Sequence, residues 1–267
     1  MRKPISRTPP WLAPAAVVAG IALLVGVFLV IRYVTAPPPP PAIDATSTQA
    51  VVATITTLPL SELDQIGLGT ATNSVKRVSG AALIGSTGKP VVFYLGAEYC
   101  PYCAFERWGM IIAMSRFGTF SGLQATTSSS TDIYPNTPTF TFRTAAFTSQ
   151  YVAFQAVETS DRNQNPLQSP TAAQQALVAR YDTANSIPFV DFGNRYAFVG
   201  ATFTNPGILD GMTWSQIAAA LQQPDSAQAK AILGSANLIT AAICQLTGQQ
   251  PATACSSPTI QAIEAKL

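Results

Sequence analysis

Residues 11–31 read WLAPAAVVAGIALLVGVFLVI, an apolar run without a single charge. Backbone placed in hydrocarbon must satisfy its own hydrogen bonds, so a lone segment of about 20 such residues crosses a bilayer as a helix. Apolar residues fall on every face of that helix, which argues against an amphipathic helix of a soluble body. Arg2, Lys3 and Arg7 precede the run and only Arg32 follows it closely. The positive-inside rule then places residues 1–10 in the cytoplasm, makes residues 11–33 a single anchor in the lipid bilayer of the cell membrane, and leaves the main body extracytoplasmic. A cleavable signal peptide is the competing reading. Against it, the run exceeds an ordinary signal core, and Ala36, the small residue that would mark cleavage, is followed by Pro37.

Residues 37–41 are five consecutive prolines, which favour an extended polyproline stalk. Residues 42–57 are rich in Thr, Ser and Ala and predict a loosely packed continuation. The linker therefore spans 34–57, and one folded domain spans 58–267. Charged residues are 10 % of the chain and the net charge is +2, so no basic face marks nucleic acid as a partner. The chain has no histidine, which excludes Ser-His-Asp and Cys-His catalysis and His-ligated zinc. Four cysteines remain, Cys100 with Cys103 and Cys244 with Cys255.

Gly88-Lys89-Pro90 is a turn signal ahead of Val91-Val92-Phe93-Tyr94-Leu95, a short apolar run that suits a buried central strand. Residues 101–118 predict a helix with Pro101 in its first turn and Gly118 at its end. Cys103, Met110, Met114 and Phe117 share one face, and Cys100 stays accessible at the N-terminal end. Strands are predicted near 122–127, 139–142 and 151–158, with a Ser/Thr-rich loop over 128–138. Gly193-Asn194 is a two-residue hairpin turn between strands 188–192 and 195–199. Helices are predicted over 61–66, 171–181, 213–221 and 226–246.

A CxxC that opens a helix is chemically specific. Free N–H groups and the helix dipole stabilise a Cys100 thiolate, and Cys103 lies one turn on, within reach of a mixed disulfide formed there. Glu98, Glu106 and Arg107 are either tuners of that thiolate or solvated helix charges. Tyr99, Tyr102 and Trp108 are either a hydrophobic rim or packing residues. Cys244 and Cys255, in an oxidising compartment, read as a structural disulfide, with an electron relay to the first pair as the sharper alternative.

Phe93-Tyr94-Leu95-Gly96-Ala97-Glu98-Tyr99-Cys100-Pro101-Tyr102-Cys103 resembles the strand, turn and active-site motif of the thioredoxin superfamily, with a glutaredoxin-like Pro-Tyr dipeptide. The resemblance implies an α/β thioredoxin-like fold with a mixed central sheet. Helical C-terminal residues extend it, and an insertion separates the CxxC helix from a hairpin preceded by a cis-proline. Ile187-Pro188 precedes the hairpin and matches that proline. With the anchor, the chain looks most like a membrane-anchored thioredoxin-like family, domain-of-unknown-function family 929.

Tyr94 stands where thioredoxins carry a buried acid, which favours an oxidase or isomerase over a reductase. The implied activity is thiol–disulfide exchange through Cys100 and Cys103, with Pro188 opposite them and Glu98, Pro101, Tyr102 and Ile187 nearby. It needs no added cofactor or metal. The implied partners are exported cysteine-containing proteins or a membrane redox protein. Two other readings are a binding or scaffolding module with a structural Cys100–Cys103 disulfide, and a thiolate metal carrier using all four sulfurs.

Overall fold

The computed structural model of the protein describes residues 12–35, 43–72, 74–203 and 205–267. The cytoplasmic N-terminus and the proline stalk expected from the sequence lie outside the described residues. The chain divides into two units, Met1–Pro38 and Pro39–Leu267. In the first, Leu12–Thr35 forms helix α1. Its 24 residues span roughly 36 Å at about 1.5 Å per residue, against a hydrocarbon core of about 30 Å. Mean hydropathy over Val17–Thr35 is 2.5. Leu23, Phe28 and Val30 are exposed. One helix near the N-terminus is thus long and apolar enough to cross a membrane.

The second unit is mixed α/β. It begins with helices α2 (Ala45–Thr56) and α3 (Leu60–Ile66), strands β1 (Lys76–Arg77) and β2 (Val91–Gly96), and helix α4 (Pro101–Met114). Strands β3 (Gly118–Ser121), β4 (Gln124–Thr127), β5 (Pro138–Thr141), β6 (Ala146–Ser149) and β7 (Ala153–Glu158) follow, then helix α5 (Ala172–Tyr181). Strands β8 (Phe189–Phe192) and β9 (Tyr196–Val199) precede helices α6 (Trp214–Leu221), α7 (Ala227–Thr247), α8 (Ala252–Cys255) and α9 (Pro258–Glu264).

Every residue of β2 is buried, as a continuous apolar run requires when both faces of its sheet are covered. The five-stranded sheet has the order β1-β9-β8-β2-β7. β2 pairs in parallel with β7 and antiparallel with β8, so the sheet is mixed. Gly193 and Asn194 turn β8 into β9 with φ of 63° and 58°, the positive values this hairpin turn demands.

Helix α4 carries apolar and charged residues at every position of its middle, yet all residues from Cys103 to Met114 are buried. The sequence predicts one covered face. Helix α7 packs against α4 and covers the remainder, with Gly109 making the close approach possible: a Cβ there would lie 2.5 Å from Ser235 Oγ. Helix α7 is itself long and apolar, but 83 % of its most apolar window is buried within this unit. It is a core helix.

The Thr/Ser/Ala-rich stretch expected to be loose forms α2 instead, so the folded unit begins well before residue 58. Asp44 caps α2, accepting the Ser47 N–H at 2.7 Å. Val51 and Ile55, spaced i,i+4, bury the helix face. Residues 118–149, where the sequence predicts strands near 122–127 and 139–142 around a loop, hold two nested two-stranded sheets: β4 with β5, close to those strands, and β3 with β6, which the sequence does not predict. Two buried indoles anchor β5: Trp108 Nε1 donates to the Pro138 carbonyl at 2.9 Å, and Trp214 Nε1 to that of Thr139 at 2.7 Å.

Cys244 and Cys255 form a disulfide between α7 and α8, both sulfurs fully buried. Replacing both by alanine is expected to lower the unfolding free energy by roughly 2–3 kcal/mol, from the chain entropy of so short a loop. Urea unfolding of the two proteins checks it; equal midpoints at equal slopes contradict it.

Candidate functional site

β2 ends at Gly96, and the chain turns through Ala97, Glu98 and Tyr99 before entering α4 with Pro101 in its first turn. The turn is tied on two sides. The Glu98 N–H donates to the Ser160 carbonyl at 2.9 Å, and the Ser129 N–H from the inserted segment donates to the Tyr99 carbonyl at 2.8 Å. Cys100 is the N-cap of α4, and its Sγ accepts the Cys103 N–H at 3.2 Å.

Across from the helix start, the Ile187 carbonyl oxygen lies 3.8 Å from Cys100 Sγ. The Ile187–Pro188 bond is cis, and the Gly200 N–H bonds the Pro188 carbonyl at 2.8 Å. Cys100, Cys103, Ile187 and Pro188 are therefore together. Both thiols are free. Cys100 is 5 % exposed and Cys103 fully buried, so the open Cys100 expected from the sequence is corrected to a nearly covered one, because the Ile187 loop closes over it. Glu98 and Pro101 are buried, and Tyr102 is 36 % exposed, edge-on to Tyr134.

The two thiols differ electrostatically. The hydrogen bond from the Cys103 thiol pulls the Cys100 thiol below its ordinary value, aided by the Cys103 N–H and the Arg107 charge, against the opposing effect of burial. Burial pushes Cys103 well up, and its bond to Cys100 adds to that. The two thiols are thus driven in opposite directions, Cys100 toward the thiolate and Cys103 toward the protonated form.

Glu106 and Arg107 are not solvated helix charges: both are fully buried. Arg107 meets Glu158, at the end of β7, through Nε at 2.9 Å and Nη2 at 2.8 Å, and its Nη2 also donates to the Ala97 carbonyl at 2.7 Å. Burial works against the guanidinium charge, but Glu158 holds it protonated. Tyr94 lies under the guanidinium, 5.9 Å from its carbon to the ring centroid, and the Tyr94 hydroxyl has no hydrogen-bond partner among the described residues. Glu106 is different. It accepts the Thr202 N–H at 2.9 Å, the Thr202 hydroxyl, and the Ser235 hydroxyl at 3.0 Å. With no cation acting on it among the described residues, burial lifts its carboxyl to about 7.

The sequence reading missed Glu158 altogether. A single acid closing a mostly apolar strand that pairs with β2 was the available signal. Among the described residues, no three His, Cys, Asp or Glu side chains gather as a metal site, and the sulfurs of Cys244 and Cys255 are spent on each other.

A family model for a domain of unknown function, DUF929, matches residues 76–245. That span starts at β1 and includes the whole sheet, the CxxC and the Ile187–Pro188 loop. No curated protein and no solved structure matches the chain.

Proposed function

The chain belongs to the DUF929 family, a domain family of unknown function, and from that premise we propose that it is a thiol–disulfide oxidoreductase of thioredoxin-like fold, held outside the cell membrane by α1. The observation that carries the reading is the meeting at one helix start of a capping thiol, its buried partner three residues on, and the Ile187–Pro188 loop. The sheet order supports it too, since β2 leads into the CxxC and the cis-proline precedes the adjoining hairpin. The charges flanking α1 support an extracytoplasmic body with a cytoplasmic N-terminus.

In the oxidising direction, a thiolate of an exported substrate attacks Cys100 Sγ of the Cys100–Cys103 disulfide, and Cys103 leaves as a thiolate that takes a proton. The second substrate thiolate then attacks the substrate sulfur of the mixed disulfide and releases Cys100. Two electrons pass to the protein dithiol and the substrate gains a disulfide. A membrane redox partner accepts those electrons to restore the cycle. Stabilising the Cys100 thiolate stabilises the reduced form, which makes the pair oxidising and supports an oxidase or isomerase over a reductase.

The test uses the full chain in detergent with a dithiol peptide and a glutathione redox buffer. Cys100→Ser is expected to reduce catalysed exchange to background. Cys103→Ser should accumulate a mixed disulfide on Cys100. Exchange that survives Cys100→Ser removes Cys100 as the nucleophile, and a pair whose potential lies below about −300 mV instead identifies a binding module with a structural disulfide.

A further inference from the structure

Away from the thiols, a cavity of about 450 Å³ opens at the β1–β9 edge of the sheet, lined by Arg77, Ser79, Gly80, Arg195, Tyr196 and Gln245 among others. Two guanidinium groups border it and, among the described residues, no carboxylate does. Neither Arg77 nor Arg195 forms an ion pair among the described residues. In a chain this poor in charge, cations are ordinarily dispersed; here Arg180 joins the same corner, donating to the Ser79 carbonyl at 2.6 Å.

One wall of the cavity is held in place. Arg77 lies over the Tyr196 ring, 5.6 Å from its centroid, and its Nη2 bonds the Tyr196 hydroxyl at 3.2 Å. The Ser79 turn is pinned by Arg180 and by the Tyr181 hydroxyl at 3.0 Å. Asp191 Oδ1 accepts the Asn194 N–H, and Glu264 Oε2 accepts from the side-chain amides of Gln245 and Gln249. Neither carboxylate lies within ion-pair distance of Arg77 or Arg195 among the described residues.

We infer that this cavity binds a phosphomonoester. Planar guanidinium forks match a tetrahedral oxyanion through paired N–H donors, and the volume lies within the range of pockets that hold a small organic ligand, about 300–1,000 Å³, rather than a bare ion. The ligand is either a soluble phosphate ester or the headgroup of an anionic lipid, and the two share the same recognition.

Titration of the full chain in detergent decides it, with inorganic phosphate, glycerol 3-phosphate, dihexanoyl phosphatidic acid and dihexanoyl phosphatidylcholine as probes. Saturable binding of the phosphomonoesters is expected. Arg195→Gln, which removes a side chain with no hydrogen bond or ion pair among the described residues, should weaken it about threefold to tenfold, and R77Q/R195Q by more than tenfold, while Lys230→Gln leaves it unchanged. Phosphatidic acid binding over tenfold tighter than glycerol 3-phosphate assigns a lipid headgroup, and equal affinity a soluble ester. No saturation with any phosphate, equal binding of phosphatidylcholine, or R77Q/R195Q binding within twofold of wild type overturns it.

Discussion

Replacing Glu158 by leucine is expected to cost about 3–5 kcal/mol of stability, and adding Arg107→Met to recover most of that loss. The buried guanidinium of Arg107 is held by two bonds to one carboxylate and one to the Ala97 carbonyl. Removing the carboxylate leaves a full positive charge in the core, over the Tyr94 ring and with Nη1 already without a partner among the described residues. Removing both charges leaves side chains that Phe142 and Tyr94 can pack against. Urea unfolding of the wild type, both single variants and the double variant closes the cycle. A double variant no more stable than Glu158→Leu would show that the pair holds α4 to β7 by geometry, not charge.

The same double variant separates stability from thiol reactivity. Arg107 is one of the groups that draw the Cys100 thiol down, so R107M/E158L should fold while its Cys100 is alkylated along a pH profile displaced upward. A purely structural role for Arg107 would leave that profile in place. Stability and thiolate formation thus read out different consequences of one guanidinium.

What the sequence made legible was local. The run into the CxxC, the Gly193-Asn194 turn and the caps of α5, α6 and α7 are signals that lie within a few residues of the elements they specify. Thr171 with Gln174 and Thr213 with Gln216 even form reciprocal capping boxes. What escaped depends on distant partners. Helix α2 is built from Ala, Ser and Thr and is defined by the core that Val51 and Ile55 enter. β3 and β6 are four residues each and pair across the whole inserted segment. The burial of Glu106 and Arg107 follows from α7, whose residues lie more than a hundred positions further on. The charge that answers Arg107 sits 51 residues away at Glu158, and neither spacing nor composition links the two.

Stability is also expected to depend on pH through Glu106. Its ordinary value is 4.5 and its folded value about 7, so between these limits the folded chain holds a proton that the unfolded chain has released. Below the lower limit both forms are protonated and the stabilisation is fully present. As pH rises toward 7 it is lost, at about 1.4 kcal/mol per pH unit, or about 3 kcal/mol in total. Asp191, lifted to about 6 by burial, acts in the same direction, so the wild-type curve alone does not isolate Glu106. Glu106→Gln does: the amide can accept from the Thr202 N–H and donate to the Ser235 hydroxyl, and it does not ionise. Its unfolding free energy between pH 4 and 8 should fall less steeply than that of the wild type, the two curves diverging by about 3 kcal/mol across the window. Parallel curves would mean that Glu106 is ionised in the fold throughout, with Thr202 and Ser235 sufficient to hold a buried carboxylate.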